Sequence, residues 1–224
     1  MRKTKVEGLC IDLEIMVMGP IHTNVYLISS GEDAIVVDPA DHAEEIMEEL
    51  GDKKLGAIVL THSHWDHTGA AAKLRELSGA KVIASSEDAE YIENPVKGDT
   101  SRMSTPCKVD VMVSTGDVVE VGSMKWKVIE TPGHSSGSIC LFLIPQFGCH
   151  PEGLPVLISG DTLFSGTTGR TDFERGSDVE MAKSMKKLAK LPDDVVVLPG
   201  HGDLTTIGAE RQTFARFGWE PDEH

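Results

Sequence analysis

The stretch Ile58-Val-Leu-Thr-His62-Ser-His64-Trp-Asp66-His67-Thr-Gly69 decides how this chain is read. Residues 57–60 form a short apolar run of the kind that makes a buried strand. Directly behind it stand three imidazoles and a carboxylate within six residues. A loop at the carboxyl end of a strand lets such side chains converge on one point. Neutral imidazole nitrogen and carboxylate oxygen are the donors favoured by zinc and related first-row metals. The bland alternative is a solvated, histidine-rich loop.

Three downstream residues weigh against that alternative. His134 lies in Thr131-Pro-Gly-His-Ser-Ser-Gly, Asp161 in Ile158-Ser-Gly-Asp-Thr and His201 in Leu198-Pro-Gly-His-Gly. Each follows an apolar run and sits in a glycine-containing turn. A lone histidine of this sort is usually structural, but three more donor residues at three strand ends fit a metal centre.

Around these motifs the patterning gives strands at 10–18, 24–30 and 34–38, a helix at 42–50, the strand at 57–60 and a helix at 68–77 stopped by Gly79. A strand at 81–84 follows, then a proline- and hydroxyl-rich surface excursion over 94–106. Strands are expected at 109–113, 118–121, 125–130, 138–144 and 156–159, with a hairpin loop over 145–155. A helix at 179–191, a strand at 195–198 and a short helix at 207–214 close the chain. Each half runs strands first and then strand and helix in alternation. That order predicts a mixed α/β fold in which two sheets pack face to face with helices outside, a four-layer αββα sandwich. No linker is visible, so residues 1–224 are expected to form one domain.

Composition narrows the function classes. The 224 residues are 40% hydrophobic, enough for a sizeable core. Lys and Arg number 21 against 36 Asp and Glu, a formal charge of −15, which repels nucleic-acid backbones and anionic lipid. No apolar run approaches the roughly 18 residues of a membrane span, and acidic residues interrupt the segment after the basic opening, unlike a signal peptide. No nucleic-acid or membrane partner is expected, and the protein is read as soluble and cytoplasmic. Cys10, Cys107, Cys140 and Cys149 contain no CxxC pair and are read as reduced.

The ordered set, HxHxDH followed by His134, Asp161 and His201, resembles the metallo-β-lactamase superfamily. Asn24-Val-Tyr-Leu-Ile, Val36-Val-Asp-Pro39 and Thr205-Thr-Ile-Gly-Ala-Glu210 extend the resemblance over nearly the whole chain. It implies the metallo-β-lactamase fold, with His62, His64 and His134 holding one divalent metal ion and Asp66, His67 and His201 the other. Asp161 would bridge the two. Zinc is the leading expectation, with iron and manganese as alternatives. Asp38 and Thr61 are read either as groups that orient a ligand or as turn residues. His22, His42, His150 and His224 are read as structural or surface residues.

Among members of the superfamily, Gly169-Arg-Thr-Asp-Phe173 and the segment from Gly200 to Glu210 resemble the short, bacterial glyoxalase II-like hydrolases. That resemblance implies a thioesterase in which a metal-bridged hydroxide attacks a thioester carbonyl. Asp66 and Asp161 would serve as ligands able to orient the water, and a small-molecule thioester would be the partner. β-Lactamases of the commonest class place a cysteine where Asp161 stands, and flavodiiron proteins a glutamate where His64 stands. The longer glyoxalase II enzymes carry a basic C-terminal helical region that binds glutathione, which leaves glutathione itself open as the substrate. Arg170 is read either as a fork for a substrate carboxylate or as a loop salt bridge. Trp65, Phe164 and Phe173 are expected to be packing residues, with pocket lining as the alternative. The Gly-Arg-Thr-Asp-Phe segment also resembles persulfide dioxygenases, which hold a single iron. A lactonase and a non-catalytic scaffold complete the alternatives.

Overall fold

A computed structural model describes residues 2–95, 104–143, 145–148, 150 and 152–220. The first half supplies β1 (Arg2–Val6), β2 (Asp12–Met18), β3 (Thr23–Ser30), β4 (Asp33–Val37), α1 (Ala43–Leu50), β5 (Lys54–Val59), α2 (Trp65–Thr68), α3 (Ala71–Ser78), β6 (Lys81–Ser85), α4 (Ser86–Glu93) and β7 (Val111–Val113). The second supplies β8 (Val118–Val121), β9 (Met124–Glu130), β10 (Ile139–Leu143), β11 (Val156–Gly160), β12 (Leu163–Phe164), β13 (Thr167–Thr168), α5 (Asp178–Leu188), β14 (Val196–Pro199), β15 (Thr205–Thr206) and α6 (Arg211–Arg216).

The first sheet keeps chain order from β1 to β7, antiparallel as far as β4 and parallel from β4 onward. The second runs β15-β14-β11-β10-β9-β8, with β14 parallel to β11 and the other pairs antiparallel. As a result β9, β11 and β14 share one direction, and their carboxyl ends lie on one edge.

Side-chain alternation explains the layering. On β4, Ile35 and Val37 join the core between the sheets, while Ala34 and Val36 face the helical side. On β5 the same split separates Ala57 and Val59 from Ile58, and from Leu60 just past the strand. On β14, Val196 and Leu198 point between the sheets and Val197 toward Met181, Met185 and Leu188 of α5. These strands are apolar without interruption because both of their faces are covered. Each buried side chain of this size contributes about 1.5–3 kcal/mol. The expected αββα sandwich is the architecture found.

Several expectations need correction. The basic opening is a strand, β1, paired along its length with β2 at the sheet edge, where lysines discourage pairing with another chain. The helix expected at 68–77 is α3, which begins three residues later at Ala71, and the short α2 before it carries Asp66 and His67. Helix α4 was missed because only Asp88, Ala89 and Ile92 are buried on it, too few for a clear period. Its signal was Ser85, whose hydroxyl accepts from the Asp88 N–H as an N-cap. The last helix begins at Arg211 rather than 207, and the loop over 145–155 contains a 3-10 turn at Pro145–Phe147. β12, β13 and β15 are two residues each, too short to show a pattern. Much of the 94–106 excursion, Cys149 and His224 lie outside the described residues; Cys107 and Cys140 are free thiols. His22 and His42 are exposed, and His150 is a surface residue paired with Asp12 at 2.8 Å. Among the described residues, no helix is long and apolar enough to cross a membrane.

Candidate metal centre

Strand ends bring the seven expected donors together. β5 delivers the loop with His62 and His64, and α2 follows at once with Asp66 and His67. The turns after β9, β11 and β14 carry His134, Asp161 and His201. Donor atoms of His62, His64 and His134 lie within 4.8 Å of one another, as do those of Asp66, His67 and His201. Asp161 stands between the sets: Oδ1 is 3.3 Å from His67 Nε2, while Oδ2 is 3.4 Å from His134 Nε2 and 3.7 Å from His201 Nε2. Donors around one tetrahedral zinc, at bonds of about 2.0–2.1 Å, sit roughly 3.4 Å apart.

The far sides of the His67, His62 and His134 rings are fixed. His67 Nδ1 lies 2.8 Å from Asp38 Oδ2, so the ring donates there and turns Nε2 inward. The same carboxylate accepts from the Thr61 N–H at 2.8 Å and the Thr61 hydroxyl at 2.6 Å. The Thr61 oxygen then accepts from His62 Nδ1 at 3.1 Å. His134 Nδ1 donates to the Arg170 carbonyl at 2.7 Å. Asp38 and Thr61 thus hold the His67 and His62 rings in place, the kind of carboxylate–histidine contact found behind metal ligands. Asp38 adopts the left-handed backbone at φ 51° to do so, a conformation that asparagine and aspartate tolerate best.

Three buried polar atoms here have no hydrogen-bond partner: His62 Nε2, His67 Nε2 and Asp161 Oδ1. Buried orphans of this kind cost free energy unless another partner is supplied, and all three aim at the same region. His62, His64 and His134 fit a metal ion in their protonation as well. Burial, then the neighbouring imidazoles, holds His62 well below its ordinary pKa, and burial takes His64 down to about 4. Burial lowers His134 too, so these rings are neutral at pH 7, and His64 Nδ1 lies 2.8 Å from His134 Nε2. Burial also acts to lower His67, but the Asp161, Asp66 and Asp38 carboxylates outweigh it and raise the pKa. His201 is raised in the same sense by Asp66. Burial works against the charge on Asp66 and Asp161, yet the facing histidines hold both carboxyls below the usual range. This half of the site attracts positive charge.

Sequence reasoning missed the residues that pin the His201 loop. Asn24 Nδ2 donates to the carbonyls of Pro199 and Gly202, each at 3.0 Å, and the Tyr26 hydroxyl donates to Pro199 at 2.5 Å. Thr23 Oγ1 reaches Asp66 Oδ2 at 3.3 Å. The available signal was a run of polar residues on a strand that is otherwise buried. A Cβ at Gly200 would lie 2.2 Å from Asp161 Oδ1 and 2.7 Å from the His67 ring, so only glycine admits this approach.

The donors open into a cavity of about 550 Å³ whose walls include Ile21, Trp65, Phe164 and Phe173. These aromatics line the pocket as well as packing. Arg170 also lines it, with its fork closed on Asp172 at 2.9 and 2.7 Å and its guanidinium 4.6 Å above Phe173. A larger hollow of about 910 Å³, lined by Met18, His22, Asp41, His42, Glu45 and Asp203 among others, contains none of the seven donors.

Comparison with known proteins agrees with this geometry. The metallo-beta-lactamase superfamily model matches residues 18–201. The chain belongs to the metallo-β-lactamase superfamily. Its reaction class is that of the metal-dependent hydrolases. Hydroxyacylglutathione hydrolase GloC of Haemophilus influenzae is 30% identical over 213 residues, covering 91% of this chain and 96% of that protein. Among solved structures, the B3 metallo-β-lactamase BLEG-1 superposes with a TM-score of 0.79 at 31% identity, covering 89% and 96% of the two chains. TTHA1623 in a di-iron-bound form gives 0.75 at 30%, covering 89% and 97%. ETHE1 from Myxococcus xanthus gives 0.73 at 28%, covering 92% and 84%.

Proposed function

We propose that this protein is a two-metal thioester hydrolase. The observation that carries the reading is Asp161, whose two oxygens face histidines of both donor sets. His62, His64 and His134 would hold one divalent ion and Asp66, His67 and His201 the second, with Asp161 shared. Ions held in this way lower the pKa of water toward neutrality and draw electron density from an acyl carbonyl.

The chain's own residues supply the rest. Ile21, Trp65, Phe164 and Phe173 form an apolar wall for the acyl or thiol portion of the substrate and limit water around it. Asp66 and Asp161 present carboxylate oxygens that can hold a water proton. The described lining contains no serine, cysteine or lysine to act as a covalent nucleophile and no tyrosine to act as an acid. A thiolate leaves without strong acid assistance, so a thioester suits this lining better than an amide does. The GloC relative and the Gly169–Phe173 segment support the same class. Arg170 sits where it can exchange Asp172 for a substrate carboxylate.

A panel of S-lactoylglutathione, simple acyl thioesters, a lactone and a β-lactam, run on protein of measured metal content, tests the proposal. Thioesters should exceed the other classes in kcat/KM. Faster lactone or β-lactam hydrolysis would refute the thioester assignment. The likeness to ETHE1 favours one second reading, a mononuclear-iron persulfide dioxygenase. It predicts a single tightly bound iron and oxygen uptake with glutathione persulfide.

A further inference from the structure

Asp88 is a buried carboxylate that neither donor set uses, with 0% of its surface exposed. A charge so far from water is tolerated only when its oxygens are satisfied and a cation faces it. Oδ2 accepts from the Ser63 N–H at 2.8 Å and from the Ser135 hydroxyl at 3.0 Å. Oδ1 receives Nη1 of Arg175 at 2.5 Å. Arg175 also donates to the hydroxyls of Ser63 and Ser136, and its guanidinium lies 3.7 Å over the Tyr91 ring of the same helix, α4. The loop after His134 approaches as closely as a bare backbone allows. A Cβ at Gly137 would be 2.5 Å from both Asp88 Oδ1 and Ser85 Oγ.

These contacts fall beside three ligands. Ser63 separates His62 from His64, and Ser135 follows His134. Arg175 lies just beyond the segment whose Arg170 carbonyl accepts from His134 Nδ1. Among the described residues, neither Asp88 nor Arg175 bonds to Asp66, His67 or His201. We infer that the buried Asp88–Arg175 pair is a positioning clamp for one donor set, joining the loops of His62, His64 and His134 and leaving the other set to its own anchors. The inference rests on the two-metal reading.

Zinc titration of metal-free protein against a chromophoric chelator, in two backgrounds, tests the clamp. His201→Ala retains the first set intact and His134→Ala the second. Added to His201→Ala, Asp88→Asn should weaken zinc binding about 10- to 100-fold, the range for groups that orient ligands. Added to His134→Ala, it should change binding by less than about threefold, well below that range. Arg175→Met should show the same selectivity, and Arg175→Lys should recover part of the affinity. With Co2+ as probe, Asp88→Asn should alter the visible absorption bands of the His201→Ala protein only. Equal weakening in both backgrounds, as a purely structural salt bridge would give, overturns the inference, as does weakening in neither. If Asp88→Asn does not fold, Ser135→Ala removes a single bond and must show the same selectivity on a smaller scale; lack of selectivity there also overturns it. Wild-type protein that binds one zinc refutes the two-metal reading, and the clamp is then judged on the His201→Ala pair alone.

Discussion

The two donor sets share Asp161, yet they are held in place by different means. His67 is gripped directly by Asp38, a residue that continues β4, at 2.8 Å. The loop of His201 is pinned by Asn24 and Tyr26 from β3. The second set thus takes its geometry from the interior of the first sheet. His134 instead depends on a carbonyl in the 169–175 segment, and the main chain around His62 and His64 is tied through Ser63 to a helix and an arginine. Where ligands hang on loops joined by polar contacts, substitutions several residues away can loosen the metal. Where they hang on strand ends in a packed core, the same substitutions should be silent.

The largest effect is expected at the residue the two sets share. Asp161→Ala should cost at least about a thousandfold in kcat/KM, equivalent to several kcal/mol of transition-state stabilisation, and should reduce bound zinc measured by elemental analysis. An unchanged rate would mean that hydrolysis does not run through this site.

Asp38→Asn comes next. It removes the charge facing His67 Nδ1, and zinc affinity of the second set should fall about 10- to 100-fold. Measured in the His201→Ala background, where only the first set is complete, the effect should be smaller, since Asp38 reaches His62 only through Thr61. Equal losses in both sets would erase the distinction drawn above.

Arg170→Ala should act on substrate rather than metal. Its side chain is 68% exposed and closed on Asp172, so kcat should hold within about threefold. KM for an anionic thioester such as S-lactoylglutathione should rise by up to about fivefold, the scale of one exposed charge pair. KM for a neutral thioester should not move. A matching rise for both substrates would assign Arg170 to loop packing.

The smallest effect belongs to Arg75 and Asp110, outside both sets. Arg75 donates to both oxygens of Asp110 at 2.9 Å and holds that carboxyl down at about 2. A carboxyl whose pKa is depressed by folding stabilises the protein above its ordinary value of 3.8 and loses that contribution as pH falls toward about 2. Arg75→Ala should raise the acid-unfolding midpoint slightly, read by circular dichroism, and leave zinc affinity at both sets unchanged.

The donors could be read from the sequence because ligand chemistry is carried by residue type, and because apolar runs end at 60 in the histidine loop and at 130, 159 and 199 in glycine turns. The layering could be read because Ile35, Ile58 and Val197 lie in strands apolar on both faces. What joins those strand ends was not legible. Asp88 is 25 positions from Ser63 and 87 from Arg175, and nothing local in an acidic stretch marks one carboxylate as buried. Asn24 and Tyr26 meet Pro199 only after the sheets pack. Asp38 and Thr61 were ambiguous because a turn residue and a ligand-orienting residue look alike until the histidine beside them is seen.

Anomalous diffraction at the zinc edge from crystals of the zinc-loaded protein is the most direct test of two ions on one shared carboxylate. Two peaks are predicted, one about 2.0–2.2 Å from His62 Nε2, His64 Nδ1 and His134 Nε2, the other at the same range from Asp66, His67 and His201, with Asp161 reaching both. A single peak, or two that do not share Asp161, would contradict the account.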